Sequence, residues 1–423
     1  MKIYRKIEQT LNLLLVVFII CLLNAANAAE NPAPLAPTEI KSLTAITPQV
    51  APPVVSSSGK INRNTIGCVL PLSGKYADGG KKALDAIMLA TKIMNGKTKG
   101  TWEVVVEDSQ GLSDKTKQAV ANLANVKNVM AIISVNEKED ALETAMEANK
   151  WKVPIILITS KEGVTSAGQY VFQHFLTPTQ EIRALVKYAL NYLNCAIFSV
   201  LYPQDDYGEE MFAAFSKEVK SVGGKVEKAI SYSINQTDFA GEISKLTGSL
   251  VKSPSKDNKD DKREIVPVDF EALFIPGSYL QAKMITSQLD FYNVKEFVIL
   301  GTSLWNTPNL LKNGAEYMEE AIFVDSFSMD GFYPETYSFV DLYHTVYKRN
   351  PENIEALAFD TAGMIFDVLG NEKIKTRQDL VNGLTERGNY NGATESFYFD
   401  SNRVAQKTPF ILRVKKDKFE QIK

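Results

Sequence analysis

The chain has 423 residues, of which 45% are hydrophobic and 23% are charged. This length suits two or three compact units, and the composition excludes collagen-like and wholly disordered chains. With 47 basic and 50 acidic residues the net charge is −3, so the chain has no basic excess and nucleic acid is not expected as a partner. Two histidines make a His-based metal cage improbable, and three cysteines rule out a four-cysteine zinc site. We therefore predict no metal site and no cofactor.

The N-terminus has the order of a secretory signal peptide. Three basic residues within the first six precede an unbroken apolar run, 13–23, and then Ala26-Asn27-Ala28, whose small residues suit signal peptidase. We predict a cleaved signal peptide over 1–28 and export to the periplasm. The alternative is an uncleaved inner-membrane anchor facing the periplasm, although eleven helical residues span only about 16 Å of a hydrocarbon core about 30 Å thick. Membrane contact is expected only under that alternative.

Residues 29–60 are predicted to be an extended Pro-rich linker. They contain six prolines and end in Ser56-Ser57-Ser58-Gly59. A spacer of this kind also suits a membrane tether, so the anchored alternative stays open.

Two cysteines, Cys68 and Cys195, follow the predicted signal peptide. Each lies in an apolar run typical of a strand. In an oxidising compartment the two could pair. The favoured alternative is a pair of buried thiols in separate sheets.

From residue 64 onward, predicted strands and helices alternate. The first set comprises strands 64–71, 101–108, 128–135 and 153–159 and helices 80–95, 113–126 and 138–150. The apolar run 129–133 suits a strand that is buried on both faces. Repeated βα units predict a parallel sheet covered by helices on both sides.

The same alternation restarts near residue 179. The second set comprises helices 179–193, 207–221, 238–251, 279–293, 335–349, 354–370 and 376–385 and strands 195–202, 225–234, 268–276, 296–301 and 320–327. Residues 252–264 hold nine charged residues and are predicted to be a surface loop.

The predicted fold class is α/β, with two Rossmann-like lobes that have parallel sheets and are joined by a hinge. The N-terminal lobe is predicted to comprise 61–178 plus about 328–385. The C-terminal lobe is predicted to comprise 179–327 plus about 386–423. Ligands in such folds bind at the carboxyl ends of the strands, so we expect a site between the lobes.

Several segments resemble one family in their order along the chain. Ile66-Gly67-Cys68-Val69-Leu70-Pro71-Leu72-Ser73-Gly74 resembles the opening of the type I periplasmic binding proteins, the leucine/isoleucine/valine-binding proteins and their relatives. Further matches are Val104 to Asp108, Val153-Pro154-Ile155-Ile156, Asp206-Tyr207-Gly208 and Phe359-Asp360-Thr361-Ala362. The resemblance covers about 61–415. It implies a protein that closes two lobes over a small polar or amino-acid-like solute, for uptake through an ABC permease or for sensing.

A narrower resemblance implies an alternative function. Phe172 to Pro178, Phe270 to Pro276 and Leu300 to Asn306 look like the LppC-type lipoproteins, a branch that includes activators of penicillin-binding proteins. The alternative is therefore a regulator outside transport that binds a cell-wall synthase. No nucleophile–base constellation is found in the sequence, so the chain is not expected to be an enzyme and no catalytic residue is predicted.

In the type I periplasmic binding proteins, the loops after the first, third and fourth strands hold the ligand through hydroxyl groups, backbone N–H groups and helix N-termini. The candidate ligand-binding residues of these loops are Ser73, Ser134, Asn136, Thr159 and Ser160. For each hydroxyl the alternative role is the capping of a helix. The third loop runs on as Glu137-Lys138-Glu139-Asp140, whose acidic side chains would repel an α-carboxylate.

The second lobe offers three aromatic residues at ligand-loop positions implied by the same resemblance. They are Tyr207, Tyr279 and Trp305, whose rings could clamp a ligand when the lobes close. The alternative for each ring is packing at the surface of its own lobe.

Overall fold

The computed structural model describes residues 60–97, 101–251 and 264–423. The predicted signal peptide, the predicted linker apart from Lys60, and the charged loop 252–264 apart from Glu264 lie outside the described residues. Those assignments therefore remain predictions. Of the helices in the described ranges, none is both long and apolar enough to cross a membrane.

A five-stranded parallel sheet forms the centre of the first lobe. Its strands are β1 (Asn62–Leu70), β2 (Glu103–Asp108), β3 (Val129–Val135), β4 (Ile155–Ile158) and β5 (Val171–Gln173). The order across the sheet is β2-β1-β3-β4-β5. Cys68 pairs with Val106 on one side and with Ile133 on the other. Strand β1 is thus interior to the sheet, which explains its long apolar run.

Helices connect these strands and cover the sheet. They are α1 (Ala77–Lys97), α2 (Ser113–Ala121) and α3 (Lys138–Lys150). Helix α1 buries Ala83, Ile87 and Ala90, which follow one another at helical spacing. The helix predicted over 80–95 is therefore confirmed.

The remaining strands belong to two further sheets. They are β6 (Ile197–Pro203), β7 (Lys225–Tyr232), β8 (Ala272–Phe274), β9 (Val298–Leu300), β10 (Ile322–Asp325), β11 (Tyr390–Gly392), β12 (Glu395–Phe399), β13 (Ala405–Lys407), β14 (Phe410–Val414) and β15 (Phe419–Gln421). The sheet of the second lobe has the order β15-β14-β10-β9-β8-β6-β7. Strands β6 to β10 pair in parallel, and β14 and β15 add an antiparallel edge.

The helices of the second lobe are α4 (Pro178–Tyr192), α5 (Asp206–Ser221), α6 (Ala240–Thr247), α7 (Tyr279–Phe291), α8 (Pro308–Asn313) and α9 (Ala315–Met318). Local sequence fixes where two of them begin. Thr177 and Gln180 form a capping box at α4, and Ser278 and Gln281 form another at α7.

The chain then returns to the first lobe. Helices α10 (Pro334–Tyr347), α11 (Asn353–Leu369) and α12 (Arg377–Glu386) follow β10. Leu357 and Ile365 of α11 pack in the same hydrophobic core as Ile66 of β1. The first lobe is therefore built from two separate stretches of sequence.

The small antiparallel sheet β11-β12-β13 also packs on the first lobe. Phe397, Phe399 and Ala405 are buried in the core that contains Ile66. The sequence-based division assigned all of 386–423 to the C-terminal lobe, and for these three residues it was wrong. The tail looks like one continuous hairpin in sequence, but its first strands bury their aromatic side chains under α11, whereas β14 joins the second sheet.

Three crossings connect the lobes, through residues 174–177, 326–333 and 408–409. Each lies between an element of one lobe and an element of the other. The prediction of two α/β lobes with parallel sheets is confirmed. Together these three connections can act as a hinge about which the lobes rotate.

Cys68 and Cys195 are both free and buried, and they lie in different lobes. Two unpaired, buried thiols are therefore confirmed and the pairing alternative is wrong, but only Cys68 lies in a strand, because Cys195 precedes β6, which begins at Ile197. Burial raises the pKa of Cys68 to about 12, so this thiol stays protonated and unreactive.

Candidate functional site

The loop after β1 is organised by Asp108 at the end of β2. Its Oδ1 accepts backbone N–H groups of Leu72 at 2.8 Å, Ser73 at 3.3 Å and Gln110 at 2.8 Å. Its Oδ2 accepts the Ser73 hydroxyl at 2.7 Å. Although burial raises the pKa of Asp108, these hydrogen bonds outweigh it and lower the pKa. Ser73 is thus held at the exposed loop, with its hydroxyl proton engaged and its oxygen left as an acceptor.

The two candidates from the third loop are both buried. Ser134 lies inside β3, and its hydroxyl donates to the Val69 carbonyl at 3.1 Å. It is therefore part of the sheet, which corrects its assignment to a ligand loop. Asn136 follows the strand, and its Nδ2 donates to Asp140 Oδ2 at 3.2 Å and to Thr144 Oγ1 at 3.0 Å. These bonds fix the start of α3.

The loop after β4 is held by Gln173 from the neighbouring strand. Its Nε2 donates to the carbonyl groups of Thr159 at 2.8 Å and Lys161 at 2.9 Å. Thr159 is buried, and its hydroxyl oxygen accepts the Lys161 N–H at 3.3 Å. Ser160 is half-buried at the carboxyl end of the sheet. Of the two candidates in this loop, Ser160 is therefore the one that is partly open to solvent.

Tyr207 stands at the start of α5, close to the carboxyl ends of the second sheet. Its hydroxyl donates to Thr302 Oγ1 at 3.0 Å. Helix α5 is capped by Asp205, whose Oδ1 accepts the Gly208 N–H at 2.8 Å. A Cβ at position 208 would lie only 2.0 Å from the Pro203 carbonyl oxygen, so the close approach of this helix to β6 requires glycine.

The other two aromatic candidates of the second lobe differ in exposure. Tyr279 is half-buried at the first position of α7. Trp305 is 0% exposed, and its Nε1 donates to the Gly277 carbonyl at 3.0 Å. Its ring lies in the hydrophobic core of this lobe with Phe323. Trp305 presents no ring surface to a ligand in this arrangement, which corrects the prediction that it clamps one.

A buried carboxyl group that sequence reasoning missed lies beside Tyr207. Glu181, in the first turn of α4, is 5% exposed, and its Oε1 accepts the Ser303 N–H at 2.6 Å. Burial raises the pKa of Glu181 to about 8, and Asp325 adds to this effect. An acidic residue in a first helical turn usually faces water, so the sequence holds no signal for this burial.

Replacing Glu181 with glutamine is expected to change how stability depends on pH. The folded carboxyl keeps its proton up to about pH 8, whereas the unfolded chain loses it near 4.5. The wild-type free energy of unfolding therefore falls as the pH rises between these values, and the non-titrating variant lacks this contribution. The pKa of Asp325 is also raised, to about 7, but this residue titrates in both proteins. Urea unfolding of both proteins at pH 5 and pH 8 gives the difference in free energy of unfolding between wild type and variant at each pH. If this difference is the same at both pH values, the raised pKa of Glu181 is contradicted.

An ion pair joins the two lobes across the predicted cleft. Lys138, the first residue of α3, pairs with Glu210 of α5. Helix α3 belongs to the first lobe and α5 to the second. The pair therefore holds the walls of the cleft in contact, although a partly exposed pair contributes only about 0–1 kcal/mol.

Comparisons with known proteins identify the family. The family model described as periplasmic binding protein matches residues 64–418. No curated protein matches the chain.

Solved structures share the fold. A protein from Rhodospirillum rubrum superposes with a TM-score of 0.75 at 19% identity, over 85% of this chain and 99% of that one. The branched-chain amino acid transporter substrate-binding protein LivJ from Streptococcus pneumoniae, in complex with isoleucine, gives a TM-score of 0.65 at 21% identity, over 85% and 98%. A solute-binding protein of an ABC transporter from Rhodopseudomonas palustris, in complex with 3,4-dihydroxybenzoic acid, gives 0.65 at 17%, over 86% and 96%.

At these identities the structural likenesses show the fold alone, whereas the family match spans both lobes and most of the chain. The chain therefore belongs to the periplasmic binding protein family.

Proposed function

We propose that the chain is a periplasmic protein that closes its two lobes over a small polar or amino-acid-like solute and delivers it to an ABC permease. The observation that carries this proposal is the family match over residues 64–418, which takes in both lobes and all three crossings. The neighbours from Streptococcus and Rhodopseudomonas hold an amino acid and a small aromatic acid. The proposal includes export to the periplasm, directed by segment 1–28 as a signal peptide.

The proposed site lies between the carboxyl ends of the two sheets. Its members are Ser73, Asn136, Thr159, Ser160, Tyr207 and Tyr279. Support comes from their positions, because each follows a strand or opens a helix at the end of its sheet where α/β folds bind ligands. Ser134 and Trp305 are left out of the site, because Ser134 lies within β3 and the ring of Trp305 lies in the hydrophobic core of the second lobe.

The charges at the start of α3 affect which end of a ligand can face the loop between β3 and α3. Glu137 and Glu139 are exposed at the start of the helix. Partial desolvation of the carboxyl group raises the pKa of Glu137, and the neighbouring Glu139 and Asp140 raise it further. Because a ligand carboxylate would be repelled here, we propose that an amino group or another hydrogen-bond donor of the solute faces Glu137.

Thermal unfolding of the purified chain with matched solutes tests the proposal. The set pairs L-leucine with leucinamide and with isoamylamine, and adds L-isoleucine and 3,4-dihydroxybenzoate. A solute present at 100 times its dissociation constant is expected to add about 2.7 kcal/mol to the free energy of unfolding. Absence of any shift across this set and a wider panel of metabolites and cell-wall fragments would count against solute binding.

A pair of serine variants shows whether binding occurs at the proposed site. Ser160→Ala removes a half-buried hydroxyl there and is expected to weaken binding by about 2- to 10-fold, the equivalent of one hydrogen bond. Ser166→Ala is the matched control, because Ser166 donates to the Gly163 carbonyl at 2.7 Å, within its own turn. Equal affinities of the two variants would remove Ser160 from the site.

One observation favours the second candidate, a regulator that binds a cell-wall synthase. The Lys138–Glu210 pair places two long side chains where a solute would enter between α3 and α5. If this ion pair keeps the cleft closed, a partner protein would bind to the outer faces of the lobes. Affinity capture from envelope extract separates the two functions: recovery of permease subunits supports uptake, and recovery of a synthase without any solute effect on stability supports the regulator.

A further inference from the structure

The starts of α3 and α5 carry mostly acidic side chains, and they meet across the cleft. Residues 137–140 contain three carboxyl groups, and residues 205–210 contain four. The exposed ones are Glu137, Glu139, Asp205, Asp206 and Glu209. Lys138 is the one basic residue of the two segments, and its ammonium pairs with Glu210 of the opposite lobe. We call Lys138 and Glu210 the cleft latch, which places a single positive charge between two acidic surfaces.

Lys75 offsets only part of the acidic charge on the first lobe. A hydrogen bond to Tyr76 raises the pKa of Lys75, and the charges of Glu137 and Glu139 raise it further. Lys75 thus acts on carboxylates of its own lobe. Residues 205–210 contain no basic residue. Without the ammonium of the latch, both segments would be acidic, and they would repel each other because they lie within a Debye length of about 10 Å.

Two other hydrogen bonds between the lobes lie at the crossings. Gln180 of α4 donates to the Ala405 carbonyl of β13 at 2.8 Å, close to the first and third crossings. Asn353 of α11 donates to Oδ1 of Asp325, the last residue of β10, at 2.6 Å, next to the second crossing. Contacts this close to a hinge move little when the lobes rotate, so they do not decide between an open and a closed arrangement.

The cleft latch, in contrast, lies at a distance from the crossings. Helix α3 follows β3, which is two strands away from β5, the strand that leads into the first crossing. Helix α5 follows β6, which is three strands away from β10, the strand that leads into the second crossing. At about 4.8 Å per strand, these separations are about 10 Å and about 14 Å. A rotation of about 20° therefore moves the latch residues apart by about 3–5 Å, which is enough to break the ion pair.

We propose that the cleft latch keeps the ligand-free chain closed, and that breaking the Lys138–Glu210 pair is the step that opens the cleft to a solute. The inference rests on the proposed function, because it concerns the opening of that same cleft. Only the open fraction of the molecules can take up a solute, so the latch lowers the apparent affinity for any solute in proportion to that fraction.

Distances between spin labels on the ligand-free chain test the latch without knowledge of the solute. The labels are placed at Met146→Cys on α3 and Lys217→Cys on α5, which are exposed positions of the two lobes. Cys68 and Cys195 are buried, so the labels react with the introduced thiols. In about 0.05 M salt the short-distance, closed population is expected to predominate. The latch side chains are 33% and 39% exposed, so about 0.5 M salt is expected to screen their attraction and to raise the long-distance population.

This salt response needs no latch variant to fold. A long-distance population that predominates in low salt, or that does not grow with salt, would overturn the proposal.

Neutralising the lysine of the latch is expected to open the chain. Lys138→Met is expected to raise the open-to-closed ratio by about 2- to 5-fold, the effect of one partly exposed ion pair. Lys150→Met is the matched control and is expected to keep the wild-type ratio, because Lys150 is on the same helix but pairs with Glu147 of its own lobe at 2.9 Å. In Lys138→Met, added salt is expected to close the chain, because only the repulsion between the acidic segments is left to be screened. Equal ratios in the two variants would overturn the proposal.

An exchange of the two charges shows whether the pair, rather than either residue alone, forms the latch. Lys138→Glu is expected to open the chain further than Lys138→Met. The addition of Glu210→Lys is expected to restore the closed population, because the pair forms again with opposite polarity. A double variant that is as open as Lys138→Glu alone would refute the latch. No solute is present in these measurements, so a failure of solute binding in thermal unfolding counts against the proposed function and is not confused with a failure of the latch.

Discussion

Replacing Asp360 with alanine is expected to lower the free energy of unfolding by about 3–5 kcal/mol. The Asp360 carboxylate is fully buried and accepts the backbone N–H groups of Ala393 and Thr394, each at 2.7 Å, and the Thr394 hydroxyl at 2.6 Å. Burial raises the pKa of Asp360, but these hydrogen bonds and the charge of Lys407 oppose that rise, and Asp360 in turn favours the charged form of Lys407. Alanine leaves two buried backbone N–H groups without an acceptor. It also leaves the Lys407 ammonium without a nearby opposite charge.

The same helix provides a control. Asp367 of α11 is 43% exposed and pairs with Arg387 at the surface. Asp367→Ala is expected to cost less than about 1 kcal/mol, because exposed pairs contribute little. Urea unfolding of both variants at pH 7 gives the comparison. If both variants lose the same free energy of unfolding, the burial of Asp360 is not the reason for its contribution to stability.

Much of the architecture follows from periodicity. The apolar run 129–133 predicted a strand buried on both faces, and β3 has this run fully buried. The alternation of strands and helices predicted two α/β lobes, because each helix must bring the chain back to the end of the sheet at which parallel strands begin. The location of Cys68 inside a strand followed from the same pattern.

The parts that were missed depend on contacts between distant residues. Asp360 was noted as part of a motif, but its partners Ala393 and Thr394 lie in a tail that looked like part of the other lobe. His174 and Lys407 are 233 positions apart, and no local pattern indicates that they touch. They meet because β11 to β13 pack on the first lobe, where Val404 pairs with Gln173, the last residue of β5.

The candidate site was predicted from loop positions, and here local sequence was insufficient for a different reason. Ser134 is the last residue but one of β3, since that strand ends at Val135. A shift of one residue moves a side chain from one face of a strand to the other. A position near the end of a strand therefore does not decide whether a hydroxyl meets a ligand or a backbone carbonyl.

Replacing Trp305 with alanine is expected to destabilise the second lobe by about 3–5 kcal/mol. The indole ring packs in the core, and its Nε1 donates to the Gly277 carbonyl at 3.0 Å. A Cβ at Gly301 would lie 2.3 Å from two ring atoms, so the ring rests directly on the backbone at this position. Alanine would leave a cavity there and remove the donor that satisfies the Gly277 carbonyl.

This substitution separates the two roles that the sequence left open for the residue. A ring that clamps a solute predicts weaker solute binding with stability retained, whereas a core ring predicts a lower unfolding midpoint in urea. Leu304→Ala is the matched control, because the adjacent Leu304 is 48% exposed and its loss is expected to change stability by no more than about 0.5 kcal/mol. Trp305→Phe is expected to lie between wild type and Trp305→Ala, since phenylalanine fills most of the space but leaves the Gly277 carbonyl unpaired at about 1–3 kcal/mol. If Trp305→Ala unfolds at the same urea concentration as Leu304→Ala, the ring is not a core residue and its place in the ligand site has to be restored.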